Sequence, residues 1–81
     1  MNTLKVEERP LAQDVRFSDC ELIVSLVDGR TISVPVTWFP TLANASEAQR
    51  NNWQLLGGGD GIHWPDLDED LSVRGLLLGT R

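Results

Sequence analysis

Basic residues are scarce in this chain. Seven Lys and Arg stand against twelve Asp and Glu over 81 residues, a formal net charge of -5. A deficit of that sign argues against direct binding to nucleic acid, whose phosphates demand a basic face. It argues equally against an anionic membrane surface. Good solubility or a basic protein partner fits it. Cysteine is nearly absent as well. Cys20 stands alone, which excludes an internal disulfide and a cysteine-based zinc site. A reducing compartment, the cytoplasm of a bacterium, is the expectation. No apolar run approaches the ~18 residues of a membrane span. The opening MNTLKVEERP lacks the apolar stretch of a signal peptide.

The same scarcity limits catalysis. His63 is the only histidine, and a metal site built on it lacks the second His, or the alternating carboxylates, such sites usually show. Cys20 falls in a turn between Asp19 and Glu21, where neighbouring negative charge disfavours the reactive thiolate. No GxSxG or Walker-type motif occurs, and the glycine run Gly57-Gly58-Gly59-Asp60-Gly61 reads as a turn rather than a phosphate loop. The sequence therefore predicts a non-enzyme with no cofactor and no metal. The weakest alternative is an enzyme using His63 with Asp66 or Asp68. His63 itself, between Ile62 and Trp64, reads as a partly buried ring bonded to backbone.

What is present is a compact α+β pattern. Hydrophobic residues make up 41% of the chain, and Trp38, Trp53 and Trp64 are the expected bulk of the core. Met1 to Asp14 reads as an irregular lead-in with room for one short strand, and one α+β domain is expected over residues 15–81. Val15-Arg16-Phe17 and Glu21 to Leu26 alternate as strands. Asp28-Gly29 signals a hairpin into Thr31 to Val36. A three-residue loop with Gly29 left-handed places Val24 opposite Ile32 and Leu22 opposite Val34, gathering the apolar side chains on one face. Pro40 starts a short helix running through Leu42 and Ala45. Ser46 and Gln49 have capping-box spacing for a second. Trp53 to Leu56 and Ile62 to Trp64 are expected to extend the sheet. Asp66 to Asp70 reads as an acidic turn. Ser72 caps a last helix, Val73 to Leu78, which Gly79 stops.

The acidic segment is the most informative feature. Asp60, Asp66, Asp68, Glu69 and Asp70 fall within eleven residues that contain no Lys or Arg. Burying any of them unpaired is costly, so they are expected at the surface. Arg74 is the nearest cation, expected to pair with Asp70 at i, i+4. With Trp64 beside them, Asp60, Asp66, Asp68, Glu69 and Asp70 form the candidate partner-binding surface.

Several motifs run together: Asp28-Gly29-Arg30; Val34 to Leu42, VPVTWFPTL; Asn44-Ala45; Arg50-Asn51-Asn52-Trp53; Gly61 to Asp70, GIHWPDLDED; and Ser72 to Leu77. From Val15 to Gly79 the chain thereby resembles a bacterial family, the domain of unknown function 2442 family. The resemblance implies an α+β fold and no established activity. It suggests partnership with another small protein in a toxin and antitoxin arrangement. Some members carry an added helix-turn-helix domain, for which a chain ending at Arg81 has no room, so direct DNA recognition is not inherited. Two functional expectations result. The first is an antitoxin-like, non-enzymatic module, a monomer or small homo-oligomer, holding a basic protein partner. The second is an acidic mimic of nucleic acid, for example a phage anti-CRISPR protein blocking the DNA site of a basic effector.

Overall fold

The computed structural model describes residues 10–79. Two three-stranded antiparallel sheets, of order β1-β2-β3 and β4-β5-β6, share one core with three short helices. The first sheet holds β1 (Ala12–Phe17), β2 (Glu21–Leu26) and β3 (Thr31–Pro35). Leu22, Val24 and Leu26 alternate along β2 and are fully or almost fully buried. Cross-strand pairs Leu22–Val34 and Val24–Ile32 set the register, and Gly29 is left-handed at φ 98°, so the bulged hairpin is as expected. Asp28 locks that loop. Its carboxylate accepts from the Arg30 main-chain N–H at 3.0 Å and from the guanidinium at 2.8 Å. The main-chain N–H is the largest influence holding this carboxyl below its usual 3.8, and the Arg30 guanidinium adds to it.

The lead-in differs from expectation. Residues 1–9 lie outside the described part, but β1 begins at Ala12, three residues before Val15. A register shift between Ala12 and Asp14 breaks the alternation and turns both Ala12 and Val15 toward the core. A bulge of this kind hides a strand from a period-two reading.

After β3 the chain passes through a 3-10 turn, Val36–Trp38, then α1 (Pro40–Ala43) and α2 (Glu47–Asn51). Pro40 occupies the first turn of α1, which ends at Ala43 rather than Ala45. Ser46 and Gln49 form the reciprocal capping box the spacing predicts. The second sheet then forms from β4 (Gln54–Leu56), β5 (Gly61–Trp64) and β6 (Glu69–Ser72). It is a separate sheet and not an extension of the first. Tight turns join β4 to β5 and β5 to β6, so each strand pairs with its sequence neighbour. The sequence reading missed β6 altogether, because Glu69-Asp70-Leu71-Ser72 has little strand propensity of its own. It is a strand because Leu71 falls beside Ile62 and packs against the core. α3 (Val73–Leu78) follows, capped by Ser72 and stopped by left-handed Gly79 as read from the sequence. No helix among the described residues is long and apolar enough to cross a membrane. Of the three tryptophans only Trp64 is fully buried. Trp38 and Trp53 pack half-buried at the margin, and Leu22, Leu26 and Leu42 supply much of the expected bulk.

The glycine run joins the sheets. Gly57, Gly58 and Gly59 all have positive φ, and the Gly59 carbonyl accepts from the Ala12 N–H at 2.8 Å. At Gly59, φ is +119° and an added Cβ would lie 2.5 Å from the Ala12 carbonyl oxygen; at Gly58, φ is +72° with open space around it. Gly59→Ala therefore meets backbone strain and a backbone clash, while Gly58→Ala meets strain alone. The expected losses are about 2–4 kcal/mol for the first and about 1 kcal/mol for the second, read from denaturant midpoints. Equal losses would show that the loop does not pack on β1.

Candidate functional site

The acidic segment is positioned by what lies beneath it. Trp64 ends β5 fully buried, and its indole N–H donates to the Arg50 carbonyl at 2.9 Å. Its ring meets Phe17 edge-on, with centroids 6.3 Å apart. The Arg50 guanidinium lies over the same Phe17 ring, 5.3 Å from its centroid. That guanidinium also donates to the carbonyls of Leu42 and Ala43, at 2.9 and 3.0 Å, satisfying the C-terminal end of α1. Arg50 thus ties α1, α2, β1 and β5 together. Trp64 was expected at the partner surface. A side chain with no exposed area offers nothing to a partner, so it belongs to the scaffold.

From Trp64 the chain turns sharply, with the Leu67 N–H donating to the Trp64 carbonyl at 3.1 Å. Leu67 packs inward, while Asp66 and Asp68 are exposed. Asp66 accepts from the Asn52 amide at 3.1 Å, fixing the turn to the end of α2. Asp68 is left-handed at φ 52°, a conformation Asp tolerates better than most residues. Glu69 sits half-buried opposite Trp64, and Asp70 is exposed opposite His63.

His63 is half-buried as expected, but its Nδ1 contacts the Asp70 carboxylate across the strands and not the backbone. The carboxylate this ring meets is that of Asp70, where the enzyme alternative expects Asp66 or Asp68. This contact also replaces the expected Asp70–Arg74 pair, since helical spacing begins only at Val73 and Asp70 is on a strand. Asp60 lies at the other end of the β5–β6 ladder from the acidic turn. It precedes β5, across from Val73, whose N–H donates to the Asp60 carbonyl at 3.0 Å. The antiparallel return of β6 brings Asp70 back towards it, and Asp60 and Asp70 line one shallow depression with Leu71 and Ser72. The structure therefore places Asp66, Asp68, Glu69 and Asp70 on one turn and the strand after it, sets Asp60 in the depression that Asp70 also lines, and takes Trp64 into the core. Cys20 is exposed in the β1–β2 turn. Among the described residues, no three His, Cys, Asp or Glu side chains are grouped to hold a metal. Sequence reasoning missed the roles of Arg50 and Asn52, whose partners lie eight and fourteen residues away.

Residues 12–81 match a family described as "Protein of unknown function (DUF2442)". Among solved structures, the crystal structure of a protein of unknown function from Rhodospirillum rubrum is similar. It is 37% identical, the match covers 88% of each chain, and the TM-score is 0.76. No curated protein matches this chain.

The assignment of Trp64 to the scaffold has a direct consequence. Trp64→Phe keeps an aromatic ring but strands the Arg50 carbonyl and leaves a gap. The variant is expected to lose about 2–4 kcal/mol of unfolding free energy. A surface tryptophan would give a change within about 0.5 kcal/mol.

Proposed function

This chain belongs to the DUF2442 family of proteins of unknown function, and we propose that it is a non-enzymatic interaction module that holds a basic protein partner. The observation that carries the reading is the state of its acids. Asp66, Asp68 and Asp70 are all exposed on one turn and the strand after it, and none of them meets a Lys or Arg among the described residues. A structural role as helix caps does not account for them, because Ser72 caps α3 through its own hydroxyl and the acids precede β6 or lie on it. Neither the family nor the similar structure indicates an enzyme. Charge held outward on a rigid turn steers a complementary partner and sets its orientation. In its most concrete form that partner is a small toxin-like protein, the arrangement the family resemblance suggests.

Affinity capture with the intact chain from its own host tests this, alongside an Asp68→Asn, Glu69→Gln variant. Asn tolerates the left-handed backbone at position 68, so unfolding free energy is expected to change by no more than about 0.5 kcal/mol. Capture of a basic protein should weaken, with the deficit greatest at low salt, where screening is least. Undiminished capture at low salt, or unfolding of the variant, overturns the reading. Release of the captured protein by competing double-stranded DNA would assign the surface to mimicry of nucleic acid instead.

A further inference from the structure

Resting on that reading, we propose that the open edge of β6 takes an extended basic strand of the partner by main-chain pairing, adding a fourth strand to the second sheet. β6 is the outer strand in the order β4-β5-β6. The Val73 N–H bonds to the Asp60 carbonyl, and the pairs Ile62–Leu71 and Trp64–Glu69 follow at two-residue steps. Antiparallel alternation then turns the main-chain groups of Leu71 and Glu69 toward β5 and those of Asp70 and Ser72 away from it. His63 and Asp70 accordingly form the non-hydrogen-bonded kind of pair, whose side chains come closest, in keeping with their contact. The Ser72 carbonyl belongs to α3, whose N-cap it is. This leaves the N–H and C=O of Asp70 and the N–H of Ser72 facing outward. No main-chain bond outside the sheet uses them among the described residues.

The surroundings of this edge select the occupant. A groove lies along it, lined by Phe39, Leu71 and Leu76 and by Glu69, Asp70 and Ser72 of the edge itself. Alternate side chains of an added strand point to opposite faces. An apolar residue would enter the groove while a Lys or Arg on the other face meets Asp70. Charge argues against a second copy of this chain, because antiparallel pairing of two β6 strands centred on Asp70 sets the two Asp70 residues opposite each other, and other registers still crowd four acids along one edge. A basic strand meets the same acids with the opposite sign. The β4 edge has only three residues and carries no acid.

The test uses the intact chain and an acetylated, amidated hexapeptide of alternating lysine and valine. On addition of the peptide, amide exchange at Asp70 and Ser72 should slow by roughly tenfold or more, with chemical-shift changes centred on β6. The same peptide N-methylated at alternate amides should give neither effect. Overturning results are binding without protection at Asp70 and Ser72, equal binding of the N-methylated peptide, no binding, or a dimer of this chain in sedimentation that closes the edge. Binding without protection would leave an acidic docking surface standing and remove only the strand pairing. Failure to capture a basic partner from the host removes the functional reading independently.

Discussion

The hydrogen bond from the buried Trp64 indole to the Arg50 carbonyl is the constraint on which the rest of this molecule depends. An indole N–H buried without an acceptor is costly, and so is a buried carbonyl without a donor. Each group here answers the other across fourteen residues of sequence. Arg50 extends the constraint in two further directions, to the carbonyls that end α1 and to the face of Phe17 on β1. The helices between the two sheets are four and five residues long, too short to be stable by themselves. They are held by this clasp, by the Ser46–Gln49 capping box and by the burial of Leu42.

The acidic surface follows from the same constraint. With Trp64 anchored inward, the register of β5 and β6 places Glu69 beside it and Asp70 beside His63. Leu67 turns in, and Asp66 and Asp68 turn out. Neighbouring carboxylates repel one another, and that repulsion favours an open edge over a collapsed one. A charged edge strand also resists indiscriminate pairing. The same acids that keep β6 from pairing with its own kind suit it to a strand of opposite charge.

Local chemistry made part of this legible in the sequence. The Asp28-Gly29 hairpin, the Ser46–Gln49 box, Ser72 as a cap and Gly79 as a stop each rest on residues within four positions of one another. The structure has them as read. Alternation failed where geometry departs from period two, as at the bulge that carries β1 back to Ala12. It failed again at β6, whose strand state comes from its pairing with β5 and not from its own residues. Asp66, Asp68, Glu69 and Asp70 are neighbours in the chain, and the turn and β6 carry them one after another. Asp60 rejoins them through the antiparallel return of β6, a pairing that the sequence reading did not contain. The sequence reads Trp64 both as core bulk and as part of the partner surface; the core reading holds, and the acceptor that fixes it, Arg50, is set by the fold.

Hydrogen exchange at the Trp64 indole, followed residue by residue in the free chain, tests this account most directly. If the Trp64–Arg50 bond is the constraint that holds the two sheets in one core, that proton exchanges only by global unfolding. Its exchange free energy then equals the unfolding free energy from denaturant and that of the best-protected amides of β2. Exchange at a clearly lower free energy, with β2 still protected, would mean that the second sheet opens by itself, and it would contradict the account.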